Sequence, residues 1–368
     1  GMRLGGTARE RWRYGRMVIL ALLCLLAGVP EPPLVALGPQ QAVRSINPEM
    51  GIHTRLTDEV EPWKIKRTLE LVREMGATWI VEYFPWAYYE PSPGSVDWSH
   101  ADLVVDHARR QGLTVIARLG MVPEWARPDP DEQPTTVTYL DQEHYPDFAE
   151  HVGAFVEHIS GRVDHIIIWN EPNIGLEWGY RPVDPEGYTE LLRAVYPRAK
   201  AANPDVVVLG GALAPTLAPE GDPEGMNDLI YLERMLAAGA GEVMDGLAAH
   251  AYGWRLAPDA PADPAVVNFS RTELLRQMLV EAGYDDMPVY ITEGCWNDHP
   301  RWYKAVQSSQ RASSSIRAYQ KAAVEWPWTE ANVLWAFRYP RPSHSYLDGF
   351  TIVTGYFTPK QIYYALQR

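Results

Sequence analysis

The sequence predicts an α/β protein built as a single-domain (β/α)8 TIM barrel. Strand-like and helix-like segments alternate eight times after residue 49, without a low-complexity linker or a second composition regime. At least one strand, Ile166-Ile167-Ile168, is apolar at every position, which is typical of a parallel strand covered by helices. This alternation favours a closed barrel over an open doubly wound sheet.

Each predicted strand is followed by a segment with helical periodicity. The strands cover, in chain order, Met50–His53, Ala77–Tyr83, Thr114–Leu119, Ile166–Ile168, Val206–Gly210, Gly246–His250, Pro288–Thr292 and Val333–Phe337. The helices cover Pro62–Glu74, His100–Gln111, Asp147–Ser160, Glu186–Ala202, Leu229–Ala238, Arg271–Ala282, Ser309–Val324 and Pro359–Gln367. A chain of 368 residues with 46% hydrophobic content can bury one large core.

Residues 1–45 are predicted to be a leader, and residues 46–368 the barrel. Five arginines precede an apolar run of 13 residues, Met17 to Val29, and Pro30 follows it. A basic start, a short apolar segment and a polar exit are typical of a secretory signal. The alternative is an uncleaved N-terminal anchor, which would be the chain's only link to a membrane. Either form predicts a secreted or cell-envelope protein.

The net charge limits the molecules that the protein is expected to bind, and the cysteine content limits its disulfides and metal sites. The first 40 residues carry a net charge of +3 and the whole chain −14, so the remainder carries −17. Such an acidic body repels nucleic acid and polyanionic glycans, which leaves neutral oligo- or polysaccharide as the expected partner. Cys24 lies in the leader and Cys295 in the barrel, so a mature exported form has no disulfide and no cysteine metal cluster.

The fourth predicted strand ends in a carboxylate. Ile166-Ile167-Ile168 is followed by Trp169-Asn170-Glu171-Pro172-Asn173, and Pro172 stops the strand. Active sites of α/β barrels lie at the C-terminal ends of the strands, where a carboxylate serves chemistry better than stability. Glu171 is therefore predicted to be catalytic.

The seventh predicted strand ends in the same way. Pro288–Thr292 is followed by Glu293 and Gly294. Two buried strands that each deliver a glutamate predict a carboxylate pair facing each other across the barrel mouth. Two unrelated surface glutamates are the alternative.

These motifs resemble those of clan A retaining glycoside hydrolases, with family 39 the most similar and family 5 the second. The resemblance extends from about residue 51 to the C-terminus. It includes Trp169-Asn170-Glu171-Pro172-Asn173, Thr292-Glu293-Gly294, Trp86-Ala87-Tyr88-Tyr89-Glu90-Pro91, Asp97-Trp98, the His250/Tyr252 pair and Trp335. It implies that Glu171 is the acid/base, that Glu293 is the nucleophile, and that the reaction retains anomeric configuration.

The same resemblance implies roles for residues around the two glutamates. Asn170 is expected to hydrogen-bond the sugar 2-hydroxyl, Tyr252 to hold the nucleophile ionised, and Trp335 to lie under the sugar. His250, at the end of the sixth strand, is expected either to bind substrate or to be a core histidine. Family 5 members usually present arginine and histidine after the second and third strands, where this chain has Tyr83 and Arg118.

The remaining candidate substrate-binding residues are Arg118, Trp86 and Trp296. Arg118 is expected to reach the nucleophile or to pair with a rim acid such as Glu82. The tryptophans belong to a larger set of loop aromatics, some expected to stack on sugar and others to lie in the core. The set is Trp86, Tyr88, Tyr89, Trp125, Trp178, Tyr180, Trp254, Trp296 and Trp302.

The predicted function is hydrolysis of a neutral β-linked glycan by double displacement, without metal or cofactor. The ten histidines show no metal-ligand spacing such as His-x-x-x-His, and no glycine-rich phosphate loop follows any strand. The alternatives are a carbohydrate-binding barrel that does not hydrolyse, a transglycosylase, and a metal-dependent barrel hydrolase.

Overall fold

The computed structural model describes residues 8–27, 39–44, 46–129, 131 and 135–367. The chain forms two compact units, residues 1–39 and 40–368. In the first unit, Ala8–Ala27 is a helix, α1, that contains most of the apolar run of the predicted leader. The end of that run, residues 28 and 29, lies outside the described residues. No helix in the described part of the chain is both long and apolar enough to cross a bilayer.

The second unit is a closed barrel of eight parallel strands, which confirms the predicted fold. Neighbouring strands pair in chain order, and β8 pairs with β1 to close the barrel. The strands are β1 Met50–His53, β2 Trp79–Pro85, β3 Thr114–Gly120, β4 His165–Ile168, β5 Val207–Leu213, β6 Gly246–Tyr252, β7 Val289–Cys295 and β8 Thr329–Leu334.

A helix follows each strand, and a short additional helix follows β2 directly. The helices are α2 Pro62–Glu74, α3 Trp86–Tyr89, α4 Ser99–Arg110, α5 Tyr145–Ile159, α6 Pro185–Ala202, α7 Asp228–Ala237, α8 Thr272–Glu281, α9 Ser308–Glu325 and α10 Gln361–Leu366. Residues 62–74 form the predicted helix without change, and most other helices differ from prediction by one or two residues at each end.

The isoleucine run of β4 shows why this sequence forms a barrel wall. Ile167 packs inside the barrel with residues such as Val81 and Leu209. Ile166 and Ile168 point outward into the core between strands and helices. Successive strand side chains alternate between faces, and here both faces are buried, so every position is apolar.

Strands β6, β7 and β8 differ from prediction in ways that place site residues at the rim. Strands β6 and β7 run further than expected, so Tyr252 and Glu293 lie within strands, and His250 pairs in register with Glu293. Strand β8 ends at Leu334, so Trp335 follows that strand and does not lie in it. The Trp335 amide still donates to the Gly294 carbonyl (2.8 Å), which ties this residue to β7.

A buried ion pair joins the starts of α7 and α8. The Arg271 guanidinium donates to the Asp228 carboxylate at 2.9–3.0 Å, and both side chains are 2% exposed. Arg271 also donates to the carbonyl of Pro264 (2.9 Å) and to the Asn227 side chain (3.0 Å). This one guanidinium therefore supplies hydrogen bonds both to a buried carboxylate and to a carbonyl group of the loop that leads into α8.

Replacing Arg271 by methionine should strongly destabilise the barrel. Removing one partner of a buried pair leaves an uncompensated charge, at a cost of about 3–5 kcal/mol. The matched control is Arg317→Met, which removes partly exposed pairs with Asp259 (2.7 Å) and Glu325, each of which should cost no more than about 1 kcal/mol. Urea unfolding of both variants measures the difference. Equal losses would contradict the role given to Arg271.

Candidate active site

A cavity of about 910 Å³ opens at the C-terminal ends of the strands. Six of the nine residues predicted for the site line it. They are Glu171, Glu293, Asn170, Tyr252, Arg118 and Trp335. His250 is 3% exposed and lies just behind the wall, where its imidazole contacts both glutamates.

Glu171 is held at the cavity by an unusual backbone turn. Trp169 and Glu171 have positive φ angles, 74° and 42°, which are uncommon for residues other than glycine. The turn is secured by hydrogen bonds from the Trp169 amide to Leu119 O (2.8 Å) and from the Glu171 amide to Ala212 O (3.0 Å). The Trp169 indole donates to Glu177 O at 2.7 Å. Strain of this kind persists where surrounding contacts enforce it, and it is frequent at active sites.

Glu293 lies on β7 and accepts hydrogen bonds from two other strands, β3 and β6. Arg118 Nη1 donates to its Oε1 at 2.5 Å, and the Tyr252 hydroxyl donates to its Oε2 at 2.9 Å. His53 Nε2, at the end of β1, is 4.0 Å from Oε1. Arg118 therefore reaches the nucleophile position. The alternative partner, Glu82, is bound instead by Thr54 and the Leu56 amide.

These contacts keep Glu293 ionised. Burial alone would raise the pKa of this carboxyl, but His250 and Arg118 outweigh burial and lower the pKa to about 2. Burial and the neighbouring Arg118 charge lower the pKa of His53 well below its usual value. Glu293 is therefore a buried anion at any ordinary pH.

The imidazole of His250 lies between the two glutamates. Its Nδ1 is 2.7 Å from Glu171 Oε1 and 3.6 Å from Glu293 Oε2. A carboxylate oxygen of Glu171 and one of Glu293 lie within 4.8 Å of each other. The two carboxylates that the sequence places on separate strands thus form one cluster.

The same cluster could offer ligands to a metal ion. One atom each from Glu171, His250 and Glu293 lies within 4.8 Å of the other two. Carboxylate oxygen and imidazole nitrogen are ordinary ligands for zinc or manganese. The 2.7 Å contact between His250 and Glu171 has, however, the length of a hydrogen bond with a shared proton.

Asn170 and Trp335 both line the cavity. Asn170 is 8% exposed, and its Oδ1 has no hydrogen-bond partner among the described residues. Trp335 packs against the His53 ring (centroids 4.5 Å apart), and its indole donates to the Tyr339 hydroxyl at 3.0 Å. A polar atom and an indole ring are thus available at the cavity wall.

Trp86 and Trp296 do not border the cavity, which corrects the expectation that they bind substrate. Trp86 is fully buried, packs against the Trp125 ring (5.2 Å) and donates to Glu90 (2.8 Å). Trp296 is also fully buried and donates to Leu256 O at 2.7 Å. Both indoles are satisfied inside the protein, so both rings belong to the core.

A different set of aromatic rings lines one side of the cavity. Tyr252 stacks on Trp254 (centroids 5.0 Å apart), and Trp302 stacks on Tyr346 (4.8 Å). Lys304 Nζ lies 4.2 Å above the Trp254 ring. Flat apolar faces with polar edges suit a sugar ring.

Several polar residues of the cavity were not predicted from the sequence, and His53 and Glu177 are two of them. His53 ends β1 as a polar tip, which is the signal that identified Glu171, and could have been found in the same way. Glu177 lies in the short 3₁₀ turn Gly175–Trp178, where no periodicity marks it. Burial and the Glu171 charge raise the pKa of Glu177 to about 8.

Comparison with known proteins identifies the fold. No protein-family model matches the chain, and no curated protein matches it. Solved structures do match: a family 39 glycoside hydrolase from the gut symbiont Bacteroides cellulosilyticus WH2 has a TM-score of 0.70 and 22% identity. It is matched over 88% of this chain and 64% of its own length, so this chain spans under two thirds of that enzyme.

Two further structures extend the comparison. A monomeric β-xylosidase from Caulobacter crescentus CB15 has a TM-score of 0.62 and 19% identity, over 89% of this chain and 69% of its own. A GH5_18 protein from Streptomyces cattleya, in complex with GlcNAc, has a TM-score of 0.64 and 14% identity, over 88% and 80%. Proteins of families 39 and 5 thus share this chain's fold, as the two resemblances predicted.

Replacing Arg118 by methionine should raise the pKa of Glu293. An opposite charge within hydrogen-bonding distance lowers a carboxyl pKa by about 1–3 units, and the variant loses that contribution. Carbon-13 NMR of labelled glutamate carboxyls measures the titration, with Glu293→Gln to assign the signal. The control is Arg55→Met, because Arg55 pairs with Asp58 (2.8 Å) and not with Glu293. An unchanged titration in Arg118→Met would contradict this account.

Proposed function

We propose that this protein is a retaining glycoside hydrolase that cleaves a neutral β-linked glycan by double displacement. The observation that carries the proposal is the carboxylate pair, Glu171 after β4 and Glu293 on β7, with oxygens within 4.8 Å of each other. Retaining enzymes hold their carboxyl groups about 5–5.5 Å apart, and inverting enzymes about 6.5–9.5 Å apart. The short separation supports retention.

The two glutamates take different roles because their surroundings differ. Glu293 is buried among His250, Arg118 and the Tyr252 hydroxyl, which keeps it anionic and suits it to attack the anomeric carbon. Glu171 contacts one imidazole nitrogen and faces the cavity, which suits a group that gives and then takes a proton.

The reaction then follows in two steps. Glu171 protonates the leaving oxygen while a Glu293 oxygen bonds to the anomeric carbon and the glycosidic bond breaks. Glu171, now a carboxylate, takes a proton from water, whose oxygen displaces Glu293 and releases the sugar. The Asn170 amide binds the 2-hydroxyl, a contact that strengthens as the oxocarbenium-like state forms. Trp335 lies under the reacting sugar.

The substrate class rests on charge and on structural neighbours. The acidic body disfavours polyanionic glycans, and one protein with the same fold is a β-xylosidase. Aryl β-xylosides therefore come first in a panel of aryl β-glycosides and intact polysaccharides. Export to the cell envelope or beyond is part of the proposal and rests on the predicted leader.

Azide should separate the roles of the two glutamates on the best aryl glycoside of that panel. Glu293→Ala removes the nucleophile, so azide should attack directly and give a glycosyl azide of inverted configuration. Glu171→Ala should still form the glycosyl-enzyme from a dinitrophenyl glycoside, because dinitrophenolate leaves without much protonation. Azide should then attack the glycosyl-enzyme and give the retained product. Proton NMR determines both configurations.

The double variant, Glu171→Ala with Glu293→Ala, is the control: it cannot form the glycosyl-enzyme, so it should give no retained azide, and any adduct it forms on a dinitrophenyl glycoside should be inverted. Swapped configurations would reverse the two assignments. Single variants with near wild-type turnover would place the catalytic pair elsewhere. Sugar binding without any turnover by the wild type would favour a carbohydrate-binding barrel, and transfer to added sugar without net hydrolysis would favour a transglycosylase.

A metal-dependent hydrolase is a second candidate, because Glu171, His250 and Glu293 could together hold a cation. We expect activity to survive dialysis against a chelator and to be unchanged by added zinc or manganese, since the two-carboxylate reaction needs no Lewis acid. Loss of activity to the chelator and its return with zinc or manganese would assign this cluster to a metal centre.

A further inference from the structure

Glu177 is a third carboxyl in the cavity, and the two-step reaction does not use it. It lies in the 3₁₀ turn Gly175–Trp178, six residues after Glu171, and lines the cavity together with Glu171 and Glu293. It is half-buried. A carboxyl so close to two others is unfavourable for folding unless its proton remains bound.

The turn that carries Glu177 is rigidly attached to the barrel. The Glu177 backbone carbonyl accepts a hydrogen bond from the Trp169 indole N–H at 2.7 Å, and the Gly175 amide donates to Glu224 O at 3.0 Å. A Cβ on Gly175 would lie 2.4 Å from Pro223 O, so the turn is packed directly against the loop after β5. The position of Glu177 is therefore tied to the Glu171 turn through Trp169 and to the loop after β5 through Gly175.

No side chain in the described part of the protein forms an ion pair with Glu177. Its charged and polar neighbours are Glu171, Glu293, Arg118, Tyr83 and Asn170. Arg118 is already bound to Glu293 at 2.5 Å, and no ion pair to Glu177 occurs within the described ranges. Since the pKa of Glu177 is raised to about 8 by burial and by Glu171, it is a neutral acid at pH 7.

Asn170 completes a donor and acceptor pair with this acid. The Asn170 amide lies close enough to the Glu177 carboxyl to oppose the rise that burial causes in its pKa. With the amide N–H as donor, the acid's O–H remains to donate elsewhere. Asn170 Oδ1 has no partner among the described residues, although the side chain is more than nine-tenths buried. The O–H of Glu177 and the Oδ1 of Asn170 are thus a donor and an acceptor beside Glu171, and together they can bind two neighbouring oxygens of a sugar.

We propose that Glu177 binds the substrate directly, donating a hydrogen bond from its carboxylic acid to a sugar oxygen beside the scissile bond. The inference rests on the proposed glycosidase function. The acid also orients Asn170, so that the amide oxygen accepts from an adjacent hydroxyl. Deprotonation of Glu177 removes the donor and adds a negative charge next to Glu171, so binding weakens as pH rises through the pKa of Glu177.

Kinetics on a dinitrophenyl glycoside test this proposal, because that leaving group makes little demand on the proton of Glu171. The wild-type kcat/KM should fall above about pH 8. Glu177→Gln keeps a neutral donor, so it should stay within a few fold of wild type at pH 7 and lose the alkaline fall. Glu177→Met removes the donor and should lower kcat/KM about 10- to 100-fold, chiefly through KM.

The matched control is Glu224→Gln, an exposed carboxylate on the loop packed against the same turn. It lies outside the cavity lining and should behave as wild type, with the alkaline fall intact. Thermal unfolding provides a second measurement. The raised pKa of Glu177 makes the wild type lose stability between about pH 4.5 and pH 8, so Glu177→Gln should gain Tm relative to wild type at pH 9 but not at pH 4.

Two results would overturn the proposal. A wild-type KM in Glu177→Met would show that Glu177 does not contact the sugar. An alkaline fall near pH 8 that persists in Glu177→Gln would place the titrating group elsewhere. Should Glu177→Met fail to fold, the pH profile and Tm of Glu177→Gln still decide. Failure of the glycosidase proposal is distinguishable, because the wild type would then turn over no aryl glycoside and the Glu171 and Glu293 variants would give no azide adducts.

Discussion

The site depends on a buried negative charge at Glu293 and on the groups that make this charge tolerable. An isolated carboxylate inside a barrel would protonate, because burial disfavours the charged form. Arg118 on β3 and Tyr252 and His250 on β6 supply the opposing charge and hydrogen bonds. Each lies in the C-terminal half of its strand, so the parallel register of a closed barrel is what brings these groups to one carboxylate.

The barrel mouth holds three carboxyls in three different electrostatic surroundings. Glu293 has arginine, tyrosine and histidine as neighbours, Glu171 has one imidazole contact, and Glu177 has no cationic partner of its own among the described residues. The pKa of Glu293 is therefore lowered to about 2 and that of Glu177 raised to about 8. Carboxyls whose environments move their pKa values apart can carry out different chemistry at one pH.

Prediction from the sequence succeeded where the residue pattern of a segment also determined its position in the barrel. Ile166-Ile167-Ile168 predicted a doubly covered strand, and the glutamates after β4 and on β7 followed from where barrel strands end. It failed for Trp86 and Trp296, because a loop tryptophan that stacks on sugar and one that fills the core look the same in a sequence. Trp335 fell outside its predicted strand because β8 ends at Leu334, and the apolar residues beyond it continue the pattern without the pairing.

Glu177 shows why the rest could not be predicted. Its place beside Glu171 follows from a chain of contacts that no periodicity encodes: the strained turn at Trp169 and Glu171, the indole hydrogen bond to Glu177 O, and the close approach of Gly175 to Pro223. These contacts make Glu171 and Glu177 parts of one segment. A change that relaxes the turn at Trp169 would therefore displace both carboxyls together, while Glu293, held from β3 and β6, would stay in place.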